Sequence, residues 1–191
     1  DGRFALVHNG IIENADKLRT RLRAQGAVFA SETDTEVVVH LLAHAYDQAD
    51  PASYTGEVAQ LSGTDEAVAR RLVVAMREVT AKLEGTFTLL ALSTESPNVI
   101  VAARRSSPLV IGLGEGENFL SSDVLAFIEH TNRAVEIGQD QLVVVSASAV
   151  TVIGADGHPL PLKDYEVDFS ADRATKGGWP TFMEKEIHEQ P

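Results

Sequence analysis

The chain has 191 residues, of which 44% are hydrophobic and 23% are charged, a balance typical of a soluble globular protein with one sizeable domain. A net charge of −12 argues against a nucleic-acid-binding or anionic-membrane-binding surface, and the absence of cysteine excludes disulfides and thiolate chemistry by these residues alone. No apolar run reaches the roughly 18 residues of a membrane span, so no membrane partner is expected, and the cytoplasm is the default compartment.

The chain opens with a pattern of strand followed by helix. An apolar run over residues 4–7 halts at His8-Asn9-Gly10, which predicts a strand that ends in Asn-Gly. A first helix follows, with Asn14 as its cap and Gly26 as its stop. The short apolar stretch 28–30 predicts a second strand.

Two longer helices come next. Thr33 with Glu36 three residues later fits a capping box, which predicts a helix over residues 34–48. Apolar residues at helical spacing predict another helix over about residues 65–84, closed by Gly85.

After Gly85 the sequence changes to short strands, with a short helix over about residues 123–128 capped by Ser121 or Ser122 and a tail that turns helical at about Thr181. The predicted strands are 86–93, 98–105, 109–113, 134–137, 141–147 and 149–157. Because helices are grouped early and strands late, we expect an α+β layered sandwich rather than a doubly wound parallel sheet. We expect one domain over residues 1–170 and a connecting tail over 171–191.

Three residues are candidates for chemistry. The Asn9 carboxamide and the following Gly10 N–H could together stabilise an oxyanion in acyl transfer, although Asn-Gly is also a common tight-turn dipeptide. Asp34 stands in the first turn of a predicted helix, where it is either a stabilising acid or a fixed anion that binds an ammonium group. Neither a nucleophile nor a cofactor is indicated, so these residues alone leave the function open.

Two other patterns favour structural interpretations. His40 and His44 have the i, i+4 spacing of metal ligands, but the glutamate of an H-E-x-x-H motif is missing, so no metal is expected. The glycine-rich run 112–118 does not lead into a helix as a phosphate loop would, and it is interpreted as a turn.

Four longer segments together carry a family resemblance: VHNGIIEN, SETDTEV, SPLVIGLGEGENFLSSD and MEKEIHEQP. They resemble the glutamine-hydrolysing domain of the glucosamine-6-phosphate synthase family (isomerising glutamine–fructose-6-phosphate transaminases), a branch of the class II amidotransferases. The resemblance implies an N-terminal-nucleophile hydrolase fold, with two antiparallel sheets packed face to face and helices outside. It also implies a homodimer formed largely through a sugar-isomerase domain.

The same resemblance implies a mechanism. A cysteine thiolate attacks the side-chain amide of L-glutamine, Asn9 and Gly10 hold the oxyanion, and Asp34 holds the α-ammonium group. The released ammonia passes to fructose 6-phosphate and gives glucosamine 6-phosphate.

The chain departs from this family because it contains no cysteine. The resemblance implies that the cysteine and a glutamine-clamping loop precede Asp1 and that the isomerase domain follows Pro191. We therefore expect an internal fragment that carries half of a glutaminase site, is inactive alone and is weakly stable, because missing strands expose sheet edges. Two alternatives stay open: a stand-alone binding or regulatory module without a nucleophile, and another class II amidotransferase.

Overall fold

A computed structural model of the chain describes residues 2–58, 60–168 and 181–189, so the predicted boundary between residues 170 and 171 lies outside the described residues. The helices are α1 Ala15–Ala24, α2 Asp34–Gln48, α3 Gly63–Lys82 and α4 Phe182–Glu189. The strands are β1 Phe4–Ile12, β2 Gly85–Ser93, β3 Ser96–Arg105, β4 Val110–Leu113, β5 Asn118–Ser121, β6 Arg133–Glu136, β7 Leu142–Val145, β8 Val150–Ile153, β9 Pro159–Leu160 and β10 Tyr165–Glu166.

The strands form two antiparallel sheets. One has the order β1-β2-β3-β7-β8-β9, and the other has the order β10-β6-β4-β5. Alternation along β3 separates two parts of the core: Val101 and Ala103 pack with residues of α1, α2 and α3, whereas Ala102 packs with Ile111 of the second sheet. Helices α1, α2 and α3 therefore cover one face of the larger sheet and the second sheet covers the other, as the predicted layered sandwich requires.

Strand β1 lies at the edge of the larger sheet, with β2 as its partner on one side. The face of β1 toward the helices holds the buried Ile12, and the opposite face leaves the side chains of Val7 and Ile11 63% and 66% exposed. Within the described residues, this strand has one edge paired with β2, a free edge that pairs with no other strand, and an apolar face that no other element covers.

Several predicted bounds are confirmed and others are wrong. Helix α2 occupies the predicted residues, and Gly26 follows α1 with the positive φ of +94° expected of a helix stop. Strand β1 does not end at Asn9-Gly10 but continues to Ile12, because its pairing with β2 runs without a break to that residue. Gly85 opens β2 instead of closing a helix.

Three further predictions are also corrected. Residues 28–30 form no strand, and the N–H of Ala30 donates instead to the Glu36 carboxylate at 2.7 Å. The short helix near residue 123 is a single 3₁₀ turn, Val124–Ala126, and its cap is Asp123, whose carboxylate accepts from the N–H of Leu125. Asn14 does not cap α1 with its side chain, which instead bonds the backbone of Lys82 and Glu84.

Candidate functional site

The backbone N–H and C=O groups of successive β1 residues point alternately to the partner strand β2 and to the free edge of the sheet. At the end of the strand, the N–H of Glu13 donates to the carbonyl of Glu84 at 2.9 Å, in step with the antiparallel register. Odd-numbered residues of β1 therefore direct their N–H and C=O groups to β2. By the same alternation, the N–H groups of Gly10 and Ile12 point to the free edge.

Gly10 lies close against the backbone of β2. Its φ is +135°, a conformation that side chains disfavour, and a Cβ there would collide with the carbonyl oxygen of Thr86 on β2. The strand pairing therefore requires glycine at this position. Because glycine has no side chain, a ligand can also approach its N–H closely.

Asp34 reaches the free edge of β1 from the first turn of α2. Its Oδ2 accepts a hydrogen bond from the N–H of Ile12 at 2.9 Å, and its Oδ1 lies 3.6 Å from Nδ1 of His8. The carboxylate is 29% exposed, so it keeps contact with solvent while both oxygens face groups of β1. Asp34 is therefore anchored to the strand that carries Asn9 and Gly10.

Asn9 and His8 lie on opposite faces of β1, as neighbours in a strand do. Asn9 is exposed, and its side chain makes no hydrogen bond within the described residues. The His8 side chain is 2% exposed, with Nδ1 3.1 Å from the hydroxyl of Thr35. Its Nε2 is buried and has no hydrogen-bond partner in the described part of the chain.

The turn that leads into α2 is held by Glu36. The Thr33 hydroxyl accepts from the N–H of Glu36 as the capping box predicts, but the Glu36 carboxylate does not return to the N–H of Thr33. It accepts from the N–H groups of Ala30 and Ser31 and from the Ser31 hydroxyl, at 2.6 to 2.7 Å. These donors, the Ser31 hydroxyl first, lower the pKa of the Glu36 carboxyl to about 2.

Arg19 of α1 holds the same turn from the other side. It is 5% exposed, and its guanidinium donates to the carbonyls of Ser31, Glu32 and Thr33 at 2.8 to 3.0 Å. Arg19 is not among the residues predicted from the sequence to have a role. The available signal was its place in the apolar stripe of α1, four residues after Ala15, where a charged residue is unexpected.

The remaining predicted features are structural. The His40 ring lies 4.5 Å from the ring of Phe29, and its Nε2 lies 3.7 Å from Glu36. No group of three or more potential metal-ligating residues occurs within residues 2–58, 60–168 and 181–189. Residues 114–117 turn between β4 and β5, as predicted for the glycine-rich run. None of the helices in those same ranges has the length and apolar character needed to cross a membrane.

Comparison with known proteins shows which families and folds this chain resembles. Residues 1–61, which contain β1, α1 and α2, match the glutamine amidotransferase domain family. The fold resembles that of glutamine phosphoribosylpyrophosphate amidotransferase from B. subtilis, with a TM-score of 0.56 over 80% of this chain and 29% of that one at 22% identity. A structure described as the allosteric regulatory enzyme of purine biosynthesis matches with the same score over 78% of this chain and 28% of that one, at 21% identity. The predicted N-terminal-nucleophile hydrolase-like fold is thereby confirmed.

Sequence comparison finds relatives with higher identity than these two structures. The chain is 50% identical, over all its residues, to glutamine–fructose-6-phosphate aminotransferase (isomerizing) from Leifsonia xyli and to that from Streptomyces coelicolor. It is 46% identical to the Mycobacterium leprae protein of the same name. The chain spans 28% of the length of each of these relatives. It is thus similar along its whole length to one part of these aminotransferases, and its first 61 residues match the glutamine amidotransferase domain family.

Proposed function

We propose that this chain forms part of the glutamine-hydrolysing unit of a cytoplasmic, homodimeric glutamine–fructose-6-phosphate aminotransferase. The enzyme would release ammonia from L-glutamine and transfer it to fructose 6-phosphate, giving glucosamine 6-phosphate. The observation that carries the proposal is the anchoring of the Asp34 carboxylate to the free edge of β1, the same edge to which the N–H of Gly10 points.

Asn9 and Gly10 would hold the oxyanion that forms when the side-chain amide of glutamine is attacked. The Gly10 N–H faces the free edge, and the Asn9 carboxamide is exposed and engaged by no other side chain of the described residues. The Gly10 N–H is held by the strand and needs little reorganisation when negative charge develops, which is the condition for strong transition-state stabilisation. The Asn9 carboxamide has no other partner among the described residues and is free to turn toward the same oxygen.

Asp34 would bind the α-ammonium group of glutamine. The bond from Ile12 holds one carboxylate oxygen, and partial exposure leaves the carboxylate accessible to a small substrate. An ammonium group binds such a fixed anion by charge-assisted hydrogen bonds.

The nucleophile would be a cysteine outside this sequence, because the 191 residues contain none. Its thiolate would attack the amide carbon and release ammonia, and water would then free glutamate from the thioester. Fructose 6-phosphate would bind to a sugar domain that is likewise outside this sequence.

Glutaminase kinetics of the full-length enzyme test these roles. Asn9→Ala should lower kcat by about 10²- to 10³-fold, the usual cost of one lost oxyanion donor. Asn98→Ala is the matched control, because Asn98 is an exposed asparagine at the start of β3, away from β1. Normal turnover in Asn9→Ala would remove Asn9 from the oxyanion role.

Asp34→Asn tests the ammonium anchor, because it removes the negative charge while the amide oxygen can still accept the bond from the N–H of Ile12. We expect an increase in the KM for glutamine of about 10- to 100-fold. An unchanged KM would contradict the assignment. An intact mass of the natural polypeptide near 20.5 kDa would instead favour a binding or regulatory module without a nucleophile.

A further inference from the structure

We propose that His8 is a positioning residue that holds the Asp34 carboxylate in the orientation needed for glutamine. The inference rests on the proposed function, because it assigns to His8 a role through Asp34. It starts from one contact: the buried His8 ring places Nδ1 3.1 Å from the Thr35 hydroxyl and 3.6 Å from Oδ1 of Asp34.

The two oxygens of Asp34 face β1 at two points. Ile12 holds Oδ2 through its N–H, and His8 faces Oδ1 from four residues earlier. Asn9 and Gly10 lie between these two contacts on the same strand. The separation between the ammonium anchor and the oxyanion donors is therefore set by β1 itself, and His8 restricts rotation of the carboxylate about its bond to the chain.

The buried surroundings of His8 favour one tautomer. A proton on Nε2 would leave a buried N–H with no acceptor in the described ranges, whereas an unpaired ring lone pair is the less costly defect. With the proton on Nδ1, the ring donates to Thr35 Oγ1 and presents the positive end of its N–H dipole to Asp34. This dipole attracts the carboxylate, and Thr35 fixes the ring plane.

A histidine that only fills the core would behave differently. Its replacement by an apolar side chain of similar size would change stability and leave the affinity for glutamine unchanged. A positioning residue must instead change the KM for glutamine more than kcat, and its effect must disappear when Asp34 can no longer bind the ammonium group.

The experiment measures glutaminase kinetics of the full-length enzyme for His8→Leu, His8→Asn and the matched control His44→Leu, since His44 is exposed on α2. We expect His8→Leu to raise the KM for glutamine by about 3- to 10-fold, with kcat changed by less than about twofold. His8→Asn retains a polar side-chain atom near the position of Nδ1 and should restore a near-normal KM. His44→Leu should behave as the wild type.

A double-mutant cycle separates the possible failures. In an Asp34→Asn background, His8→Leu should raise the KM no further. If Asp34→Asn raises the KM but His8→Leu leaves it unchanged, the role of His8 is overturned and the proposed function stands. If Asp34→Asn also leaves the KM unchanged, the role proposed for Asp34 falls, and that of His8 falls with it. If His8→Leu does not fold, Thr35→Val decides, because an unchanged KM there overturns the proposal.

Discussion

Arg19 should contribute more to the stability of this chain than any surface arginine, because it joins α1 to the turn before α2. Its guanidinium donates three hydrogen bonds, to the carbonyls of Ser31, Glu32 and Thr33, from a side chain that is 5% exposed. It also lies 4.8 Å above the ring of Phe29. Replacing Arg19 with methionine keeps the length of the aliphatic stem and removes every one of these interactions.

The expected loss follows from the three acceptors. A buried acceptor that loses a charged donor costs about 1–3 kcal/mol, but the three residues that carry these carbonyls are exposed, so water can solvate them in the variant. We therefore take the lower end for each bond and expect Arg19→Met to lower the free energy of unfolding by about 2–4 kcal/mol. The ion pair with Glu32, at 3.9 Å and with a glutamate side chain 85% exposed, adds little to this value.

Urea unfolding followed by far-ultraviolet circular dichroism measures this loss. Arg21→Met is the matched control, because Arg21 lies on the same helix and is exposed, and it should change stability by less than about 0.5 kcal/mol. Arg19→Lys should fall between the wild type and Arg19→Met, because an ammonium group keeps the charge but not the planar fork. If Arg19→Met and Arg21→Met had equal effects, the anchoring role of Arg19 would be refuted.

Two further predictions concern the Glu36 carboxylate and the exposed face of β1. Because its hydrogen-bond donors lower the pKa of the Glu36 carboxyl from 4.5 to about 2, its contribution to stability is complete above pH 4.5 and is lost as the pH falls toward 2. The stability difference between wild type and Glu36→Gln in urea unfolding should therefore shrink between pH 7 and pH 3, and a constant difference would contradict this. The exposed apolar face of β1 should make the 191-residue chain self-associate. The double variant Val7→Thr/Ile11→Thr should therefore have a lower weight-average mass in sedimentation equilibrium. Val28→Thr, at a residue 84% exposed in a loop, should leave that mass unchanged.

The sequence predicts the parts of this fold that depend on local interactions. The Thr33 and Glu36 pair correctly locates the start of α2, because the bond from the Glu36 N–H to the Thr33 hydroxyl lies within one turn. The predicted end of β1 is wrong because it depends on a contact that is distant in sequence. Asn9-Gly10 has a local preference for a turn, but pairing with β2, more than 70 residues away along the chain, keeps this segment extended.

The candidate site shows the same division. Asn9, Gly10 and Asp34 can be chosen as candidates from the sequence, because their residue types and motif indicate the chemistry they could perform. Their arrangement was not, because the bond from Ile12 to Asp34 joins residues 22 apart in sequence and depends on how α2 packs against β1. The sequence gives no sign of a role for His8, because no periodic pattern marks a histidine that acts through a contact with another element.

The geometry of the site depends on very few links. Strand β1 carries Gly10 and holds Asp34 through Ile12, so both groups move together if β1 moves. The position of β1 is set in turn by its nine-residue pairing with β2, in which Gly10 lies against the backbone of Thr86. A disturbance of that pairing should therefore impair both proposed roles together, the oxyanion stabilisation by Gly10 and the ammonium binding by Asp34. Arg19 and Glu36 hold the turn that leads into α2, so changes at these two residues should act mainly on the ammonium binding proposed for Asp34.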